Sequence, residues 1–160
     1  MRERLTISYV GAQGDGVAPG PVFAPLTLAG EVIEAEVRDG RAEGLALIAP
    51  SPERQEARCP HFGTCGGCAL QHWQTAPYLA WKGEQVRMAL ARQGLETDIH
   101  PTVGIPPATR RRLALHARRA ADGTVSLGFK GRRSWALVPI TTCVIADPRL
   151  VEALPRLIPV

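Results

Sequence analysis

The chain has 160 residues, 45% of them hydrophobic but only 5% aromatic, which is enough for one ordinary domain or two small ones with a mainly aliphatic core. No apolar run approaches the roughly 20 residues of a membrane helix, and Met1-Arg2-Glu3-Arg4-Leu5 leads into polar alternation instead of an apolar leader; a monomeric cytoplasmic protein with no membrane partner is expected. The net charge of +4 is uneven: residues 1–57 carry five Arg/Lys and nine Asp/Glu, residues 58–160 fourteen and six, so the second part is the candidate polyanion binder.

Residues 1–49 read as short β-strands. Leu5, Ile7 and Tyr9 alternate with Thr6 and Ser8, and Ile33, Ala35 and Val37 with Glu34 and Glu36. Leu45-Ala46-Leu47-Ile48 is a further strand, and Asp39-Gly40 signals the hairpin turn before it. Glycines 11, 14, 16 and 20 punctuate the space between the first strand and Pro21-Val22-Phe23. Many short strands with glycine turns predict a small closed barrel over residues 1–50. Pro50-Ser51-Pro52 ends that pattern and marks the boundary with a second domain, 51–160.

A helix is expected from Thr75, with Thr75 as N-cap and Pro77 in the first turn. Leu79, Val86 and Leu90 would form its apolar face, and Gly94 its stop. A β-meander follows. Arg112 to Arg118 alternates as a strand, Asp122-Gly123 turns the chain, and Val125, Leu127 and Phe129 mark the next strand. Residues 135–140 make a third strand that delivers Cys143. Residues 147–155 begin a helix, and the apolar ending Leu157-Ile158-Pro159-Val160 predicts a chain cut from something longer. The fold class is mainly β, with an α+β second part.

The four cysteines carry the sharpest signal. Cys59, Cys65 and Cys68 fall in one loop, spaced C-x5-C-x2-C, and Cys143 lies 75 positions further on. In a reducing compartment such clustering favours ligation over disulfides. Gly66-Gly67 permits a tight turn and close approach of N–H groups to sulfur. Four thiolates suit either an iron–sulfur cubane or a tetrahedral zinc. Zinc ribbons usually pair two C-x2-C knuckles, and this chain has one, which favours iron–sulfur. His61 and His72 are read as ordinary loop residues.

Arg110, Arg111, Arg112, Arg118, Arg119, Lys130, Arg132 and Arg133 set eight cations against Asp122 alone in 24 residues. Cations of this density meet phosphates, so the stripe is a candidate RNA or DNA contact on one face of the meander. Trp73, Trp81 and Trp135 are read as structural, with base stacking as the alternative.

Three stretches resemble the bacterial RNA uracil-5 methyltransferases. Gly11-Ala12-Gln13-Gly14-Asp15-Gly16-Val17-Ala18, with Leu28-Ala29-Gly30-Glu31, looks like their N-terminal TRAM domain, an OB-like barrel. Ser51-Pro52 and Cys59 through His72 resemble their iron–sulfur loop. Leu127-Gly128-Phe129-Lys130 through Cys143 resembles the central-domain segment that supplies the last ligand. The resemblance implies that Cys59, Cys65, Cys68 and Cys143 hold a [4Fe–4S] cluster. It also points to RNA as the partner, 23S rRNA in preference to tRNA, and Arg110, Arg111, Arg112, Arg118, Lys130, Arg132 and Arg133 of the basic stripe are the residues expected to meet it. Ala29 stands where Pro is common in the barrel motif, and Pro139 where Asp is usual.

In that family a Rossmann-like domain that binds S-adenosylmethionine follows these segments, so no catalytic residue is expected in this chain. Gly11 to Gly20 has no following helix and is not a cofactor loop. Asp147-Pro148-Arg149 lacks the context of a methyltransferase motif, and Cys143 is assigned as a ligand, not a nucleophile. The competing reading is a free-standing four-cysteine zinc module that binds RNA without catalysis.

Overall fold

The computed structural model describes residues 1–157. It divides into two compact units that share the chain discontinuously. Residues 1–56 and 72–103 form the first, residues 57–71 and 104 onward the second. The boundary expected near residue 50 is thus replaced by an interleaved division.

In the first unit six strands form one sheet: β1 (Arg2–Thr6), β2 (Tyr9–Val10), β3 (Gly16–Ala18), β4 (Val22–Ala24), β5 (Val32–Arg38) and β6 (Arg41–Ala49). Their order is β1-β5-β6-β4-β3-β2. The two edge strands are therefore consecutive in sequence. Between them the Ile7 N–H donates to Glu31 O on one side and the Ser8 N–H to Val17 O on the other, both at 2.8 Å. One run of chain so joins both margins, and the sheet curls in the manner of the expected OB-like barrel. The expected strand through Leu5, Ile7 and Tyr9 is split at this crossing point.

Small and β-branched residues fill the interior: Ile7, Ala18, Val22, Ala24, Ile33, Ala35 and Ala42. The strand alternation places them on one face. Gly16 is required there, because a Cβ would lie 2.1 Å from Thr27 Oγ1 and 2.7 Å from Ile7 Cγ2. Asp39 and Gly40 both have positive φ, 48° and 70°, as a two-residue hairpin between β5 and β6 demands. Glu31 is wholly buried. Its carboxylate accepts from the Leu28 N–H at 2.9 Å, the Ser51 N–H at 3.2 Å and Arg54 Nη2 at 2.7 Å.

The first unit also holds α1 (Thr75–Ala91). Thr75 is its first residue, not its cap. Gln74 occupies the cap position without a side-chain bond. None of the helix is buried, and Val86 is 50% exposed. Lys82 and Gly83 interrupt the row between Leu79 and Val86, so the apolar stripe is too narrow to bury. Aromatic contacts anchor the N-terminal half: the Trp73 and Trp81 rings lie 5.7 Å apart, and the Trp81 indole N–H donates to Val10 O at 3.1 Å. Trp73 Nε1 donates to Glu53 at 2.7 Å. Gly94, with φ 71°, stands just past the helix end as expected.

The second unit contains a three-stranded antiparallel sheet in the order β7-β8-β9: β7 (His116–Arg119), β8 (Val125–Lys130) and β9 (Leu137–Pro139). The expected first strand from Arg112 begins instead at His116, and the expected third over 135–140 is shorter. Pro139 closes the edge strand β9, where its missing N–H is tolerated. Gly128 lets β8 and β9 meet, since a Cβ there would fall 1.9 Å from Val138 O. The helix expected over 147–155 is the short α2 (Pro148–Glu152), capped by Asp147, followed by a 3-10 turn over Leu154–Leu157. The ending Ile158-Pro159-Val160 lies outside the described residues. Among the described residues no helix is long and apolar enough to cross a membrane.

Candidate functional site

The cysteine loop is built from tight turns. The Phe62 N–H donates to Cys59 O at 3.0 Å and the Cys65 N–H to His61 O at 2.9 Å, while Gly63 takes a φ of 90°. The loop is then stitched to the end of β8. Cys65 bridges Gly131, the Gly66 N–H donates to Lys130 O at 2.9 Å, and the Arg132 N–H donates to Thr64 O at 3.2 Å. A second tie runs from the Thr141 N–H to His61 Nε2 at 3.5 Å.

These ties bring all four cysteines to the wall of one cavity of about 190 Å³. Phe129, Leu113 and Ile140 supply its apolar side, and Arg110, His61 and Gln71 its polar side. All four thiols are half-buried and free of disulfides. Burial pushes the Cys68 thiol up from its ordinary value. A Gln71 hydrogen bond opposes this, and the neighbouring Cys143, Cys65 and Cys59 sulfurs add to the rise. Cys143 lines the same cavity as Cys68, so the remote cysteine of the sequence is brought to the loop in the fold. The Gly67 N–H points at Cys65 Sγ, 3.4 Å away, as the glycine pair leads one to expect. Among the described residues no three His, Cys, Asp or Glu side chains are drawn into a closed coordination shell. His72 is buried in the first unit and does not line the cavity.

Gln71 was not singled out by sequence reasoning. Its side-chain carbonyl accepts from the Cys59 N–H at 3.2 Å, and it lines the cavity beside Cys68. It thereby fixes the backbone at the start of the loop. Its place three residues after Cys68 was the only available signal.

The cations are more dispersed than expected. The β7–β8 register sets His116 against Gly128 and Arg118 against Ser126, so His116 and Arg118 share a face with Lys130. Arg110, Arg111 and Arg112 precede the sheet. The backbone of Arg110 pairs instead with the segment after Cys143, accepting from the Asp147 N–H at 2.9 Å. Arg132 and Arg133 occupy the β8–β9 turn. Arg110, Arg111, Arg112, Arg118 and Arg133 are exposed, and Lys130 and Arg132 half-buried.

No protein-family model matches the chain. Curated relatives do, along nearly its whole length. It is 57% identical to an uncharacterized RNA methyltransferase of Caulobacter vibrioides over 158 residues, which is 96% of this chain and 38% of that protein. It is 35% identical to the 23S rRNA (uracil(1939)-C(5))-methyltransferase RlmD of Chromohalobacter salexigens over 91% of this chain and 33% of that protein. The fold agrees. The crystal structure of the Pyrococcus abyssi tRNA (uracil-54, C5)-methyltransferase with S-adenosyl-L-homocysteine matches 96% of this chain and 35% of that one, with a TM-score of 0.65 and 28% identity.

The chain is thus similar, along nearly its whole length, to part of proteins named RNA methyltransferases. Among these relatives are two whose names give uracil C5 as the target, and the chain spans about a third of the length of the curated relatives it matches.

Proposed function

We propose that this chain is the RNA-recognition and [4Fe–4S]-binding portion of a cytoplasmic, S-adenosylmethionine-dependent methyltransferase that modifies C5 of uridine in 23S rRNA. The observation that carries this reading is the cavity lined by Cys59, Cys65, Cys68 and Cys143, in a chain whose relatives are named RNA methyltransferases. Preference for 23S rRNA over tRNA rests on the names of the RlmD relatives.

The chemistry of the donor set supports this reading: four soft thiols line one cavity, a backbone N–H faces one sulfur, and Arg110 adds positive charge on the cavity wall. Among the described residues the thiols are not drawn into a closed shell, so binding would have to gather them. When bound, a cubane cluster supplies four iron–thiolate bonds that cross-link the loop to the segment after β9. The chain's own residues do the rest. The Gly67 N–H orients the Cys65 sulfur, Gln71 holds the Cys59 backbone, and the Gly66 and Arg132 N–H groups fasten the loop to the β8–β9 turn. The basic residues meet phosphate. Addition of a thiolate to uracil C6, and removal of the C5 proton, need a nucleophile and a base. Both are assigned, with S-adenosylmethionine, to the part of such proteins that this chain does not span.

Anaerobic purification with iron and sulfide analysis tests the cluster. A brown protein with about four iron atoms per chain is expected, falling to near none in Cys68→Ala. A colourless protein with one zinc and no sulfide would favour the metal-module reading instead. Unchanged iron in Cys68→Ala would refute the ligand assignment.

A further inference from the structure

Trp135 stands apart from the other two tryptophans. Trp73 and Trp81 pack against each other and donate their indole N–H groups within the first unit. Trp135 is 86% exposed on the turn between β8 and β9. An indole presents a large apolar area that folding normally covers.

The turn that carries it is well bonded. The Gly131 N–H donates to Ala136 O at 2.9 Å, the Ser134 N–H to Gly131 O at 3.1 Å and the Ala136 N–H to Ser134 Oγ at 3.1 Å. Its base is fastened to the cysteine loop through Gly66 and Thr64. The ring is thus held out on a built support. Lys130 Nζ lies 3.4 Å from the ring centroid, so one face carries a cation. Arg132 and Arg133 sit in the same turn, and no Asp or Glu occurs between Asp122 and Asp147. Aromatic surface ringed by positive charge is complementary to a nucleotide, an aromatic base on an anionic strand.

We propose that Trp135 is a stacking platform for one unpaired RNA base, with Lys130 and Arg133 meeting the flanking phosphates. This rests on the RNA-binding reading above and deepens it. Bases inside a duplex already stack on their neighbours and cannot reach the ring, so the platform selects single-stranded or extruded nucleotides. Stacking uses the π-face that every base has, so it favours unpaired structure over a particular sequence.

The test uses the full chain, purified anaerobically, with an oligouridylate of about 12 nucleotides and a duplex of equal length. Trp135→Ala is expected to weaken single-strand binding about 10-fold, to leave duplex binding unchanged and to keep the slope of log affinity against log salt. Trp135→Phe should retain most of the affinity, and thermal melts of both variants should match the parent. Single-strand affinity of Trp135→Ala equal to the parent's would overturn the inference and leave the RNA reading intact. An equal loss on duplex would also overturn it. Altered self-association with unchanged RNA affinity would mark the ring as a protein contact. Failure of the parent chain to bind either RNA would overturn both readings.

Discussion

Gly66→Ala probes the stitch between the cysteine loop and the β8–β9 turn. A Cβ at Gly66 would lie 2.9 Å from Lys130 O, 3.0 Å from Gly131 O and 3.1 Å from Gly131 C. These are backbone atoms and cannot rotate aside. The loop must retreat by a few tenths of an ångström, which strains the Gly66 N–H to Lys130 O bond. Overpacking of this kind costs about 1–3 kcal/mol, and a weakened hydrogen bond adds about 1 kcal/mol. The smaller entropy of the unfolded alanine chain returns about 0.5 kcal/mol. A net loss of about 2 kcal/mol in the second unit is expected, with reduced iron loading because Cys65 and Cys68 flank the displaced residue. Gly67→Ala is the internal control, since its Cβ would meet only Cys65 Sγ at 3.5 Å, an ordinary contact. Urea unfolding and iron content are measured for both variants. If Gly66→Ala matches Gly67→Ala in both, the close approach does not organise the loop and the reasoning fails.

In the first unit, Arg54→Ala strands the buried Glu31 carboxylate and should cost about 3–5 kcal/mol at neutral pH. Burial alone raises the Glu31 carboxyl, but the Arg54 bonds and the Leu28 and Ser51 N–H groups together hold it below its ordinary 4.5. Its contribution is therefore present above pH 4.5 and lost as pH falls through the lower folded value. In the variant burial dominates, the folded carboxyl rises and acid relieves the penalty. The gap between parent and variant should narrow on acidification; a gap that widens contradicts this account. Replacing Arg110, Arg111 and Arg112 together by Ala should lower RNA affinity and reduce the salt slope by up to about 3, and an unaltered slope would leave the triplet facing solvent only. Asp147, held at about 2 by its bonds to Arg149, should titrate there by NMR; Arg149→Ala should move it back toward 3.8, and a titration that stays put would exclude the pair as the cause.

The elements that sequence made legible are those fixed by local chemistry. Asp39-Gly40 can hardly form anything but a tight turn, and the spacing of Cys59, Cys65 and Cys68 announces a shared site. The missed boundaries were decided by distant partners. Extending the β7–β8 register back to Arg112 would set it against Arg132, but the Arg132 N–H is taken by Thr64 O. Lys130 O, which would face residue 114, likewise accepts from the Gly66 N–H, so the cysteine loop takes the place of a longer β7, the ladder stops at His116 and the arginine triplet leaves the sheet. Nothing within residues 110–118 reveals this. Likewise the cavity's apolar wall of Leu113, Phe129 and Ile140 is assembled from three separate segments, none marked by its own pattern. Helix α1 was legible from its start at Thr75 to its glycine stop, but its three apolar positions did not reveal that they are too sparse to bury.

The discontinuous sharing of the chain between the units has a mechanical outcome. The polypeptide passes from one to the other after residues 56, 71 and 103, so a scission after residue 103 frees all of the first unit with residues 57–71 still attached, but no single scission liberates an intact second unit. A fragment ending at residue 56 would have every strand of the curled sheet but lack the tryptophans of α1 and its approach. Grafting the cysteine loop elsewhere would need both of its ends spliced, since residues 57–71 are a loan from one unit to the other, returned at His72.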